Sequence, residues 1–224
     1  MAAESPLEPH HLPTPQLREE LRRRVAACRR DEAELRIGHL PRSTLQRLGS
    51  AFPAVIARAA VLIPVVDRGD DLGVLLTLRA DDLKHHAGQI AFPGGRIEPG
   101  DADAVAAALR EAHEEIGLER EFIEVIGTLP DHVVITGYRV TPVVGLVRPG
   151  FELKLDPVEV AGTFEAPLRH LLDPSTRSRR FRRFGAEEIE TFELPWGSFN
   201  IWGATAGMLL TLREVLAGAP GHGD

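Results

Sequence analysis

The chain has 224 residues, 43% of them hydrophobic, and a formal net charge of −7. That size and apolar content suit one packed domain with short appendages, and the acidic balance argues against general nucleic-acid binding. A single cysteine, Cys28, excludes an intrachain disulfide framework and a cysteine zinc cluster.

In chain order, residues 1–15, MAAESPLEPHHLPTP, read as a flexible tail. It is acidic and proline-rich, unlike a secretory signal. No stretch approaches the roughly 20 apolar residues that span a bilayer, so a cytoplasmic protein without a membrane partner is expected. Residues 16–35 predict a charged helix, and 43–50 a short second one. Residues 1–50 are thus expected to be a tail and helical extension that packs on the domain or on a second subunit. That leaves a homodimer open.

The main domain is expected over 51–217. VIARAAVLIPVV at 55–66 and GVLLTLR at 73–79 predict a strand pair, joined by the turn-like RGDD. GQIAFPGG at 88–95 leads into a helix. Further strands are expected at 122–129, 132–136, 139–147 and 189–194. PLRHLL at 167–172 predicts a short helix or turn, and the last helix is placed at 198–217. Residues 218–224 are expected to be a C-terminal tail. Strands around one helix, with another closing the chain, predict an α/β/α sandwich on a mixed β-sheet.

The most informative segment is GGRIEPGDADAVAAALREAHEEIGL at 94–118. Asp101 or Asp103 can cap the helix and Gly117 can end it. At about 100° per residue, Val105, Ala108, Leu109, Ala112 and Ile116 make a buried stripe. Glu111, Glu114 and Glu115 centre about 130° away, on one face clear of the core. Three such close carboxylates repel one another, which a solvated surface tolerates and a metal site needs. Hard cations such as Mg²⁺ and Mn²⁺ prefer carboxylate oxygens. A metal-dependent enzyme acting on phosphates is the chemistry this pattern suggests.

The segment resembles the Nudix box, G-x5-E-x7-R-E-U-x-E-E-x-G-U, with U a bulky aliphatic residue. Arg110, Glu111, Glu114, Glu115, Gly117 and Leu118 match its second half. The first half departs: the loop is one residue longer, and Asp101 stands where the pattern has Glu. Upstream, LLTLRADDLKHHAGQIAFPGG at 75–95 is similar to the signature of the coenzyme A pyrophosphatase branch, LLT-x-R-S-x3-R-x3-G-x3-F-P-G-G. Leu75, Leu76, Thr77, Arg79, Gly88, Phe92, Pro93, Gly94 and Gly95 match in register, while Ala80 replaces Ser and Lys84 replaces the second Arg.

The resemblance implies a Nudix fold and a Mg²⁺- or Mn²⁺-dependent pyrophosphohydrolase. Its small-molecule, nucleotide-type substrate would be coenzyme A or a thioester of it. Glu111, Glu114 and Glu115 would ligate metal, joined by a carbonyl at Gly95. Glu114 and Glu115 would also serve the chemistry, with Arg110 holding the loop through an acid. Glu159 sits where many Nudix enzymes carry a late glutamate that binds metal or acts as a base; Glu98 is a weaker candidate. Arg79, Lys84 and Gly94 would contact phosphate. Arg180, within the run Arg177, Arg179, Arg180, Arg182 and Arg183, would clamp a 3′-phosphate. Against that stands a solvated face or subunit contact for the run, and solvated loop positions for His85 and His86. Phe199 and Trp202 are expected in the core. The alternatives are hydrolysis of another nucleoside diphosphate derivative, such as ADP-ribose or a dinucleotide, and a non-catalytic Nudix-fold binding module. All three box glutamates are present, which argues against the last.

Overall fold

The structure is a computed structural model that describes residues 8–28, 57–80, 88–134, 137–184 and 187–218. The helix expected at 43–50, the end of the 16–35 helix, and Lys84, His85 and His86 lie outside these residues.

Eight strands form a mixed sheet: β1 (Ala57–Asp67), β2 (Leu72–Arg79), β3 (Ile90–Ala91), β4 (Gly94–Arg96), β5 (Ile123–Thr128), β6 (His132–Val134), β7 (Tyr138–Val147) and β8 (Val160–Pro167). The path is β3-β2-β1-β7-β5, with β4 on β1, β6 on β7 and β8 on β2. β1 and β7 run parallel; the other pairs are antiparallel. Strands buried on both faces read as continuous apolar runs rather than alternating ones, and β1 does so because both of its faces are covered. Ala60, Leu62 and Val66 face one core; Ala59, Ile63 and Val65 face the other.

Helix α2 (Ala104–Ile116) packs on the first face through Ala104, Ala107, Ala108, Ala112 and Ile116. The second face carries α1 (Thr14–Ala26), the short α3 (Leu168–Leu172) and α4 (Gly203–Ala217). A three-stranded antiparallel sheet adjoins them: β9 (Ser178–Phe184), β10 (Glu187–Trp196) and β11 (Phe199–Trp202). Its Leu194 and Ile201 join the core under α4. The expected α/β/α layering on a mixed sheet is therefore what forms. Among the described residues, no helix is long and apolar enough to cross a membrane.

The N-terminal helix packs on its own chain. Leu17, Leu21 and Val25, spaced four apart, are buried in the second core. Arg18 bonds Asp67 at 2.7 Å, and Arg22 forms a fork on Glu124 at 2.9 and 3.0 Å. Its apolar stripe is thus used up within the chain. The RGDD turn closes as expected: Gly69 takes a φ of +82°, and its N–H donates to Asp67 Oδ1 at 2.9 Å.

The flexible tail expected over 1–15 is ordered from residue 8: Pro9–His11 makes a helical turn and α1 begins at Thr14, whose hydroxyl donates to the Asp70 carbonyl at 2.7 Å. Three later elements also differ from the sequence expectation. β8 is a strand where the sequence predicts none; it forms by pairing along β2 from Gly73 to Arg79. β9, the arginine run, forms a strand because β10 offers it a full register of partners, from Ser178 opposite Glu193 to Phe184 opposite Glu187. The last helix begins at Gly203, not 198. Phe199–Trp202 pairs with β10 instead, and Gly203, at φ +66°, turns the chain into the helix.

Candidate active site

Asp103 starts α2 by accepting a hydrogen bond from Ala106 N–H at 2.8 Å, and Gly117 ends it in the left-handed region at φ +67°. Asp103→Ala should lower stability by about 1 kcal/mol, the worth of an N-cap, read as a shift in the urea midpoint at unchanged slope.

The helix does not hold its three glutamates clear of the core. Glu114 points to solvent with 56% of its side chain exposed, Glu111 keeps 15%, and Glu115 only 4%. Glu115 is covered because β4 lies against α2 and Arg79 reaches over from the end of β2. Gly94 N–H donates to its Oε2 at 3.1 Å, and Arg79 Nη1 stands 3.8 Å from its Oε1. The glycines allow this approach. Gly94 and Gly95 pair with Val61 and Ala60 of β1. A Cβ at Gly95 would lie 2.5 Å from Glu111 Cδ, and one at Gly94 would lie 2.6 Å from Val61 Cα.

Arg110 fastens the loop to the helix. Its Nε and Nη2 donate to the two oxygens of Asp101 at 3.0 Å each, and Nη2 also reaches the Arg96 carbonyl at 3.1 Å. Nη1 donates to Glu111 at 3.0 Å and to Glu114 at 2.8 Å. Asp101, noted in the sequence as a cap candidate, is instead the partner of Arg110. It also accepts from Glu98 N–H at 2.8 Å, so Glu98 enters through its backbone. The guanidinium beside it holds the Asp101 carboxyl below the usual range.

Glu159 arrives by a different route. After β7 the segment 151–159 wraps the C-terminal end of α2: Lys154 N–H donates to the Ile116 carbonyl and Asp156 N–H to the Glu115 carbonyl, both at 2.9 Å. Ala80 N–H then holds the Glu159 carbonyl at 2.9 Å. Glu159 lies close enough that its charge acts on both Glu111 and Glu115.

The electrostatics follow. Burial pushes the Glu115 carboxyl up to about 8, against the Gly94 N–H and Arg79; Glu111 and Glu159 push it further up. Burial also raises Glu111, opposed by Arg110 and reinforced by Glu114 and Glu159. Among the described residues no three Asp, Glu, His or Cys side chains form a ready-made cage. Arg110 lies against Glu111 and Glu114, and Arg79 lies beside Glu115. The donor set is nonetheless all oxygen, with an excess of anions. A hard divalent cation fits such a set, because it offsets the repulsion that burial magnifies.

Arg79 comes to Glu115 through an irregularity. The pairing of β2 with β8 shifts register between Leu78 and Arg79, and such a bulge re-aims a side chain. Arg180 is elsewhere. It lies on β9, 65% exposed, with Nε 3.5 Å from Glu193 Oε2, in the layer across the sheet from α2. No described contact joins it to the glutamates. Phe199 and Trp202, expected in the core, are only partly buried; Phe199 packs at the edge of the second core, stacked on Phe164 at 3.9 Å. The sequence reading missed the turn at Asp156, whose signal is the Asp-Pro pair at 156–157.

The sequence pattern of the NUDIX domain matches residues 56–184. The uncharacterized Nudix hydrolase NudL of Escherichia coli strain K12 is 43% identical over 164 residues, covering 73% of this chain and 84% of that protein. NudL of Enterobacter sp. strain 638 is 42% identical over 167 residues with the same coverage. The crystal structure of the Nudix hydrolase RenU from M. smegmatis aligns with a TM-score of 0.45 at 24% identity, covering 73% of this chain and 88% of that one.

Proposed function

This chain belongs to the NUDIX domain family and is a hydrolase, and on that premise we propose that it splits the diphosphate of coenzyme A or its thioesters. One observation carries the reading: the two sequence motifs meet at one carboxylate. Arg79 of the upstream signature and the Gly94 N–H that closes it both converge on Glu115 of the box helix. The signature associated with coenzyme A thus belongs to the same site as the box.

Nudix hydrolases generally use divalent metal ions. Glu111 and Glu115 would hold Mg²⁺ or Mn²⁺ here, with a carbonyl at Gly95 and, from its exposed position, Glu114. When bound, the ion supplies positive charge against the diphosphate and acidifies water. The rest is the chain's own work. Glu159, whose charge acts on Glu111 and Glu115, takes the proton of the attacking water. That water's oxygen adds to one phosphorus as the bridging P–O bond breaks, giving 3′,5′-ADP and 4′-phosphopantetheine. Arg79 steadies phosphate charge beside Glu115, and Gly94 and Gly95 let the backbone come close. Arg110 keeps the loop on the helix. Such catalysis is largely positioning and electrostatics.

The test is a panel of CoA, acyl-CoA, 3′-dephospho-CoA, NADH, ADP-ribose and nucleoside triphosphates with Mg²⁺ or Mn²⁺. CoA or its thioesters should be cleaved fastest. A lost charge-assisted contact is worth roughly 1.5–3 kcal/mol, so CoA should exceed its 3′-dephospho form by about tenfold or more. Arg180→Gln should narrow that gap if Arg180 holds the 3′-phosphate. Equal rates on the two substrates would sink that clamp. Faster cleavage of ADP-ribose would move the enzyme to another nucleoside diphosphate derivative.

A further inference from the structure

We infer that Asp156 is a positioning residue that sets Glu159 against the acidic helix. The inference rests on the assignment of Glu159 made above. Four hydrogen bonds converge on Asp156. Its N–H donates to the Glu115 carbonyl at 2.9 Å. Its own carbonyl accepts from Glu159 N–H at 3.2 Å and from Val160 N–H at 2.8 Å. Its Oδ1 accepts from Val158 N–H at 2.9 Å. Together these make a single capped turn: Asp156 is the cap, and Pro157 follows with its φ already set for turning.

The bonds tie the site into one circuit. The backbone of Glu115 is held by Asp156, that of Glu159 by Asp156 and by Ala80, and the Glu115 carboxylate by Gly94 with Arg79 nearby. Packing is thin only at the tip of the turn, where Pro157 is exposed and Val158 is 71% exposed, while Leu155 and Val160 on either side pack on the core under α2. The side-chain bond of Asp156 therefore carries a larger share of its rigidity than such a bond would in a buried loop. Short polar side chains that bond their own backbone two residues on are what impose such turns. With that bond gone, the backbone links of Asp156 and Ala80 remain, and the turn that presents Glu159 loosens while Glu159 keeps its place on the strand end.

The test uses the full chain, the fastest-cleaved nucleotide of the panel, and Mg²⁺, so a wrong substrate class leaves the outcome unaffected. Asp156→Ala should lower kcat by about tenfold or more with little change in KM, the expected result of misdirecting one reacting group. Asp156→Asn keeps an acceptor oxygen and should restore most of the rate. In a Glu159→Gln background, Asp156→Ala should cost nothing further. Calorimetric titration with Mn²⁺ should give the same affinity for Asp156→Ala as for the parent, because Glu111 and Glu115 stay in place. Thermal melts report the fold. Additive losses in the double variant, or failure of Asp156→Asn to rescue, overturn the inference. Weakened Mn²⁺ binding overturns it as well, since Asp156 would then act through Glu115. Full turnover by Glu159→Gln removes the assignment of Glu159 and the inference with it, whatever the panel shows.

Discussion

Glu115→Gln should abolish metal-dependent turnover while making the metal-free protein more stable at alkaline pH. The loss of rate should be on the order of a hundredfold to a thousandfold, the range seen when one preorganised electrostatic group is removed from a site. The gain in stability follows from the position of Glu115, whose carboxyl burial pushes up from 4.5 to about 8. The folded state therefore keeps a proton that the unfolded chain gives up. Its contribution is fully present below pH 4.5 and is lost as the pH climbs through 8. Within that window one such group costs stability at up to about 1.4 kcal/mol per pH unit. Glutamine has no proton to lose, so the variant should lack that slope. Urea unfolding in EDTA at the two ends of the window gives the comparison. Added Mg²⁺ should stabilise the parent by mass action and the variant far less. Wild-type turnover in Glu115→Gln would show that the site lies elsewhere.

Gly94→Ala should damage both the fold and the site. The new Cβ would lie 2.6 Å from Val61 Cα and 2.7 Å from Val61 Cγ1, and closer still to the Ala60 carbonyl oxygen. Two of these are backbone atoms of β1, held by the parallel pairing with β7, so no rotamer change relieves the clash. β4 has to lift off β1, and the Gly94 N–H leaves Glu115. Overpacking of this kind costs roughly 1–3 kcal/mol, and moving the site by about 1 Å costs about a hundredfold in rate. Gly100→Ala is the control, because nothing lies within 4 Å of its Cβ; it should shift stability by less than about 0.5 kcal/mol. Urea midpoints and kcat of both variants decide the matter. A Gly94→Ala protein with parental stability would show that β4 sits looser on β1 than its register implies.

Much of the acidic helix was legible because its determinants are local. Asp103, the alanine-rich stripe and Gly117 specify where α2 starts, which side it buries and where it stops. The pairing of β1 with β2 was legible for the same reason: two apolar runs flank a turn whose Gly69 and Asp67 close it. β8 and β9 were not. A stretch such as SRRFRRF has no apolar alternation of its own, and its strand state comes from the partner that β10 provides. Phe199–Trp202 misled because β-pairing with β10 overrides a helical pattern that continues smoothly into α4.

By itself the sequence determined the helix and the glutamate spacing, which depend on residues within one or two turns of one another, and the layered α/β class, which follows from the order of apolar elements along the chain. Only the tertiary structure decided how differently the three glutamates sit: Glu114 largely in solvent, Glu111 mostly covered and Glu115 buried. A helical wheel places residues about an axis but does not say which strands lie over the helix end. Here β4 and the shifted end of β2 cover Glu115, and the 151–159 segment brings Glu159 beside it from across 44 residues of chain (159 − 115). Burial and non-local charge set those carboxyl groups apart, and both exist only once the sheet has formed.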